Sequence, residues 1–359
     1  MRCALLTKVT IMELRITTIY ILLLVLMSST DANVPSKYAK QSVEWFQSEE
    51  GRRIADNVLT WQTPHGGFPK SRDTASKPYK GKSEDLHATF DNGATIDELR
   101  FLARAYSATN EPRYKQGFLK GLSHILEAQY PTGGWPQFYP PSKSYHRHIT
   151  FNDDVMARIL GLLQDVSESS DYQFLKTENR AKVEAAVTKG IDCILRTQIK
   201  QNGKLTAWCA QHDEKTLEPA WGRSYEPPSI SGAESVDVVR LLMSLEEPTP
   251  EIIAAIEGSV EWFRSVATNG IRQERFTNAD GQDDKRIVTD PDAGPLWARF
   301  YELGSNRPIF LDRDSVFRYS LSEIGQERRT GYAYYGSWAS RLLTDEYPRW
   351  RVKHKLTKE

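Results

Sequence analysis

Apolar side chains recur at helical spacing along most of this chain. Phe118, Leu122 and Leu126 fall on one face, as do Val183, Val187, Ile191 and Ile194, and Ile252, Ile256, Val260 and Phe263, the period of amphipathic helices that bury one stripe. Partner helices are expected over roughly 92–107, 152–166, 232–246 and 327–344. Gaps such as Ser107 to Pro112 are short, so successive helices should form antiparallel hairpins. Between hairpins lie long intervals, about 65–88, 131–150, 201–231 and 270–326, rich in Trp, Tyr, Pro and Gly. Loops of such length are functional or disordered. Their varied composition favours ordered, cleft-forming loops, with Gly281-Gln282-Asp283-Asp284-Lys285 the expected flexible tip.

The helix ends repeat. Gln62-Thr63-Pro64-His65-Gly66-Gly67 recurs as Gln129-Tyr130-Pro131-Thr132-Gly133-Gly134, as Gln198-Ile199-Lys200-Gln201-Asn202-Gly203 and, weakly, as Ser265-Val266-Ala267-Thr268-Asn269-Gly270, at intervals of 67, 69 and 67 residues. Each copy reads as a helix end, since Gly or Asn suits a left-handed C-cap. In Gly67-Phe68-Pro69-Lys70 and Gly134-Trp135-Pro136-Gln137 a proline prevents the helix resuming. Four hairpins around an axis give an all-α fold, an α/α toroid, with the loops of one type gathered at one end.

Three polar stretches open into helices: Thr89-Phe90-Asp91-Asn92-Gly93-Ala94-Thr95, then Ile149-Thr150-Phe151-Asn152-Asp153-Asp154, then Ser229-Ile230-Ser231-Gly232-Ala233-Glu234. Asp153 follows Asp91 by sixty-two residues, close to the repeat interval, so the two acids are expected to converge. Carboxylates gathered at helix N-termini suit a divalent cation and an anionic ligand better than a core. Taken singly, each also reads as an ordinary N-cap.

Composition narrows the partners. The 359 residues carry 47 basic and 47 acidic side chains, so no global field draws nucleic acid or membrane. Aromatics make up 11%, enough to line a sugar-binding cleft as well as a core. Arg2, Lys8 and Arg15 precede an apolar run from Ile16 to Met27 and small residues to Ala32. Residues 1–32 therefore read as a secretory signal, with an uncleaved anchor or a start at Met12 as alternatives. That leaves a single domain over 33–359, secreted or periplasmic, free of the membrane and monomeric. Cys193 and Cys209 remain, equally consistent with one disulfide or two buried thiols.

The last loop is basic, with Arg307, Arg313 and Arg318 and, beyond them, Arg328 and Arg329; the third carries Trp221-Gly222-Arg223-Ser224-Tyr225-Glu226-Pro227-Pro228. Arginines beside aromatics, opposite aspartates, suit a polyanion held partly through a bridging cation. Arg223 and Arg313 are the arginines assigned to function; Arg318, Arg328 and Arg329 read as surface or paired residues. His146, His148 and His212 read as positioning or packing groups rather than a base.

These motifs together carry a resemblance. Gly66-Gly67-Phe68-Pro69-Lys70, Thr89 to Thr95, Gly134-Trp135-Pro136-Gln137, His148 to Asp153, Ala207-Trp208-Cys209-Ala210-Gln211-His212-Asp213 and Arg328 to Gly336 resemble, in order over about residues 40–350, the motifs of the family-ten pectate lyases. The resemblance implies cleavage of polygalacturonate by β-elimination on an α/α toroid. It implies Ca2+ held by Asp91 and Asp153, Arg223 as the base at C5 of the sugar, and Arg313 on a substrate carboxylate. Asn92 and Tyr225 would line the cleft. Two rivals remain open: an inverting hydrolase using Asp91 with Asp153 or Glu234, and a non-catalytic pectin-binding protein.

Overall fold

In the computed structural model the described residues are 37–38 and 40–356; the expected signal segment lies outside them. The helices are α1 (Val43–Gln47), α2 (Glu49–Thr60), α3 (Ile96–Thr109), α4 (Pro112–Ala128), α5 (Val155–Glu168), α6 (Thr177–Thr197), α7 (Glu234–Ser244), α8 (Pro250–Val266), α9 (Gln326–Gly331) and α10 (Tyr347–Lys353). Their ends follow local chemistry. Ser48 accepts the Gly51 N–H at 3.1 Å to cap α2, α4 and α8 start on proline, and Asn110 ends α3 in the left-handed conformation, φ 56°.

Helices α3, α5 and α7 pack in succession as one row, and α2, α4, α6 and α8 as a second row behind it. The hairpins α3/α4, α5/α6 and α7/α8 join the rows. Leu99, Leu102, Leu160, Leu163 and Leu242 of the first row and Phe118, Ile194 and Val260 of the second are buried between them.

What repeats is a loop closure. Thr63, Tyr130, Ile199 and Thr268 donate backbone N–H groups to the carbonyls of Gly67, Gly134, Ala207 and Leu296, all at 2.9–3.0 Å. The next residue in each case is a buried aromatic: Phe68, Trp135, Trp208 and Trp297. The three indoles donate to Ile125, Ile194 and Phe263 in the last turns of α4, α6 and α8, at 2.7–2.8 Å. The repeated glutamines staple each loop to the following outer helix. Gln62 Nε2 donates to Gly66 and Gly117, Gln129 to Gly133 and Ala186, and Gln198 to Thr206 and Ala255. Gly66 has φ 99° and passes so close to α4 that a Cβ would lie 2.3 Å from the Lys120 carbonyl. Gly66 and Gly133 thus serve loop-to-helix contact rather than the C-cap expected of them, whereas Gly203 and Gly270 have open space around them; α4 and α6 end at Gln129 and Gln198 in extended backbone. In the fourth copy Ala267 stands where the other copies have glutamine, two beyond the expected register at Ser265, and its loop carries a long insertion before Trp297.

The all-α toroid expectation fails here. Among the described residues are six two-stranded sheets. The largest, Ile271–Thr277 paired with Asp283–Thr289, takes up the first part of the loop expected over 270–326. The expected flexible tip is its turn and second strand, where Asp284 is buried and bound by Arg329 at 2.7 Å. Nor does a fourth helical hairpin form. Residues 327–344 break after α9 into a strand, Tyr335–Gly336, paired with Trp297–Ala298. Gly331 and Gly336 weaken a helix there, and Tyr332, Tyr334 and Tyr335 favour extended backbone. Cys193 and Cys209 are free and buried.

Candidate active site

The loop closures set out polar side chains in register. Thr89, Thr150 and Ser231 donate their N–H groups to Phe68, Trp135 and Trp208, so three equivalent turns follow, at Asp91-Asn92, Asn152-Asp153 and Ala233-Glu234. Asp153 therefore corresponds to Asn92, not to Asp91. Both occupy left-handed backbone, φ 52° and 53°, which Asn and Asp tolerate better than other non-glycine residues. The side chains still meet: Asp91 and Asp153 lie within hydrogen-bonding range of one another.

The residue two places beyond each buried aromatic reaches the same site. Lys70 forms an ion pair with the buried Asp91, Gln137 hydrogen-bonds Asp91, and Arg299 pairs with the buried Glu234. Ala210, the equivalent residue in the third loop, accepts the Phe151 and Asn152 N–H groups. Lys70 and Arg299 were both missed in the sequence. Their signal was the shared frame of Phe68-Pro69-Lys70, Trp135-Pro136-Gln137, Trp208-Cys209-Ala210 and Trp297-Ala298-Arg299, hidden by the insertion before Trp297.

Burial and the Asp91 carboxylate push Asp153 up to about 7. Burial would raise Asp91 too, but its bond with Asp153 and the Lys70 ammonium bring it below the usual carboxylate range. Asp91 Oδ1 is buried with no hydrogen-bond donor, and the neighbouring Asp153 carboxylate is another acceptor. Two carboxylates so placed need a shared proton or a cation. An oxygen-only pair with an orphaned buried atom fits calcium. A second group, His148, Asp213 and Glu214, offers three atoms within 4.8 Å of one another. It includes a nitrogen donor, and Glu214 is already bound by Arg147 at 3.3 Å and lies 3.1 Å from His148 Nδ1, so it fits calcium less well.

A cationic and aromatic wall adjoins the acids. The Arg299 guanidinium lies 4.9 Å from the Tyr332 ring centre. Tyr332 OH donates to Glu226 at 2.8 Å, and Glu226, buried, binds the Arg223 guanidinium and accepts its backbone N–H at 2.9 Å. Arg223, Arg313 and Arg328 lie 5.0, 5.8 and 4.4 Å from the centre of the Tyr225 ring. Arg328, read from sequence as a surface residue, is thus buried against the tyrosine. Arg313 is exposed and holds Glu327 at 3.1 Å rather than Asp312 or Asp314. Tyr145 and His146 are within electrostatic reach of both Asp91 and Arg223, which places acids and arginines around one cleft. Asn92 is exposed beside Asp91. Burial acts to lower the Arg223 pKa, but the hydrogen bond and charge of Glu226 override it and hold the group above the ordinary arginine value. His212 is fully buried, its Nδ1 on the Leu217 carbonyl and its Nε2 on the Cys209 N–H, and burial pushes it down to about 4; it positions a loop.

A sequence model of the pectic acid lyase family matches residues 62–343. The chain belongs to the pectic acid lyase family. A family 10 polysaccharide lyase from Cellvibrio cellulosa is 35% identical, with a TM-score of 0.74, over 90% of this chain and 98% of its own. A mutant of a family 10 polysaccharide lyase from Cellvibrio cellulosa, in complex with trigalacturonic acid, is 34% identical, with a TM-score of 0.74, over 89% of this chain and 99% of its own. No curated protein matches the chain. This pectate lyase is a polysaccharide lyase by family and by structural likeness. Among its described residues no helix is long and apolar enough to cross a membrane.

Proposed function

We propose that this lyase cleaves α-1,4-linked polygalacturonate by calcium-assisted β-elimination and leaves 4,5-unsaturated oligogalacturonides. The observation that carries the reading is the pair of buried Asp91, with its orphaned Oδ1, and half-buried Asp153, sharing a cleft with Arg223. The trigalacturonic acid bound to the Cellvibrio cellulosa relative supports the substrate class. A secretory leader would suit a substrate outside the cell.

In this reading Asp91 and Asp153 hold calcium, which when bound polarises the substrate carboxylate and stabilises charge developing at C5. Arg313 and Arg299 supply guanidinium groups for the uronate carboxylates, and Tyr225 and Asn92 line the cleft. Arg223 takes the C5 proton; the C4–O bond breaks as the C4–C5 double bond forms, and the leaving oxygen gains a proton. Protonated arginine cannot act as a base, and Glu226 favours protonation, so the rate should climb toward alkaline pH.

Direct contact between Asp91 and Asp153 disfavours the hydrolase reading, because inverting carboxyl pairs stand about 6.5–9.5 Å apart. Glu234 is committed to Arg299 and Ser231. Comparing reducing ends with ultraviolet absorbance of the conjugated product separates the readings: elimination gives both signals together, hydrolysis gives reducing ends alone, and a binding protein gives neither.

A further inference from the structure

A cavity of about 480 Å³ opens beside the catalytic cleft, within the range of small-molecule sites. His146 lines it and also feels the charges of Lys70, Asp91 and Arg223. Phe138, another lining residue, pairs its backbone with Thr89, two residues before Asp91. The two spaces are therefore neighbours.

Their chemistry differs. The catalytic end carries Lys70, Arg223, Arg299, Arg313 and Arg328. The cavity is lined by no lysine or arginine; its walls include Leu86, Ala88, Phe138 and Tyr139, its titratable nitrogens are the imidazoles of His65, His87 and His146, and its one carboxylate is Glu84. Behind Tyr139 sits His124, fully buried, with neither ring nitrogen partnered. A uronate carboxylate placed here would lose hydration beside Glu84 with no lysine or arginine in the lining to pair with it. A methyl ester carries no charge, and its methyl matches the apolar walls.

We propose that this cavity receives a methyl-esterified galacturonosyl residue, away from the bond that breaks, so that the enzyme accepts partly esterified pectate with the ester held at this position. The proposal rests on the pectate lyase reading and adds a specificity to it. The test is digestion of fully de-esterified polygalacturonate and of partly methyl-esterified pectin, with mass-spectrometric sequencing of the unsaturated products. Esters should be enriched at one fixed distance from the cleaved bond. Ser142→Lys adds a cation to the exposed rim. It should lower kcat/KM on esterified relative to de-esterified substrate on the order of threefold to fivefold, the size of an exposed charge contact. Random or excluded ester positions, or an unchanged ratio in Ser142→Lys, would overturn the proposal while leaving the lyase reading intact. Absence of cleavage on both substrates would overturn the two together.

Discussion

Replacing Glu226 by glutamine should move the activity of this lyase to lower pH. The Glu226 side chain is 2% exposed and binds Arg223 through both guanidinium and backbone, while Tyr332 donates to it at 2.8 Å. Glutamine keeps the shape and an acceptor for Tyr332 but removes the charge that holds the Arg223 proton. A hydrogen bond to a charged group contributes about 1.5–3 kcal/mol. The Arg223 side chain is 43% exposed, so solvent screening argues for the low end. At about 1.4 kcal/mol per pH unit, the rising limb of the profile should shift down by about one unit. On that limb the variant should turn over about tenfold faster than wild type at the same pH. The assay is the initial rate of unsaturated product across pH with saturating calcium. A limb that stays in place while the rate falls uniformly would refute the reasoning, and would make Glu226 a support for the loop and Arg223 something other than the base.

Arg223→Lys should reduce kcat by about 10²–10⁴ with KM little changed; unchanged turnover would remove Arg223 from the role of base. Asp153→Asn should raise the calcium concentration giving half-maximal rate at least about tenfold, and an unaltered calcium curve would place the ion elsewhere. Glu98 is fully buried, and burial with the Asp97 charge pushes it up to about 8 from 4.5. Its carboxyl is therefore protonated in the fold, and its contribution is present below about pH 4.5 and lost as pH rises through 8. Wild type should lose on the order of 3–5 kcal/mol relative to Glu98→Gln across that window in urea melts; parallel curves would refute it. Trp208→Ala, which deletes a fully buried indole bonded to Ile194, should cost about 3–5 kcal/mol, read as a lower urea midpoint.

Helix periodicity made α3 to α8 legible because each buries one stripe, and the Gln-to-Gly repeat marked the ends of α2, α4 and α6. The register of the polar turns was not legible to the residue. Asp91 and Asp153 looked equivalent because both precede a helix, whereas the backbone bonds of Thr89 and Thr150 align Asp153 with Asn92. Arg299 was invisible because its defining neighbour, Trp297, lies beyond the inserted hairpin. The last expected helix failed through its glycines and tyrosines, whose partners are strands brought in from Trp297 and Ala298. Glu226 was legible only as a residue of the third loop; its hold on Arg223 depends on burial, which no local pattern reports.

Calcium dependence of the elimination itself tests the whole account. Polygalacturonate incubated with the purified protein should gain the ultraviolet absorbance of unsaturated product, stop gaining it when a chelator is added, and resume when calcium is restored. Reducing ends released at an undiminished rate in chelator, without that absorbance, would contradict it.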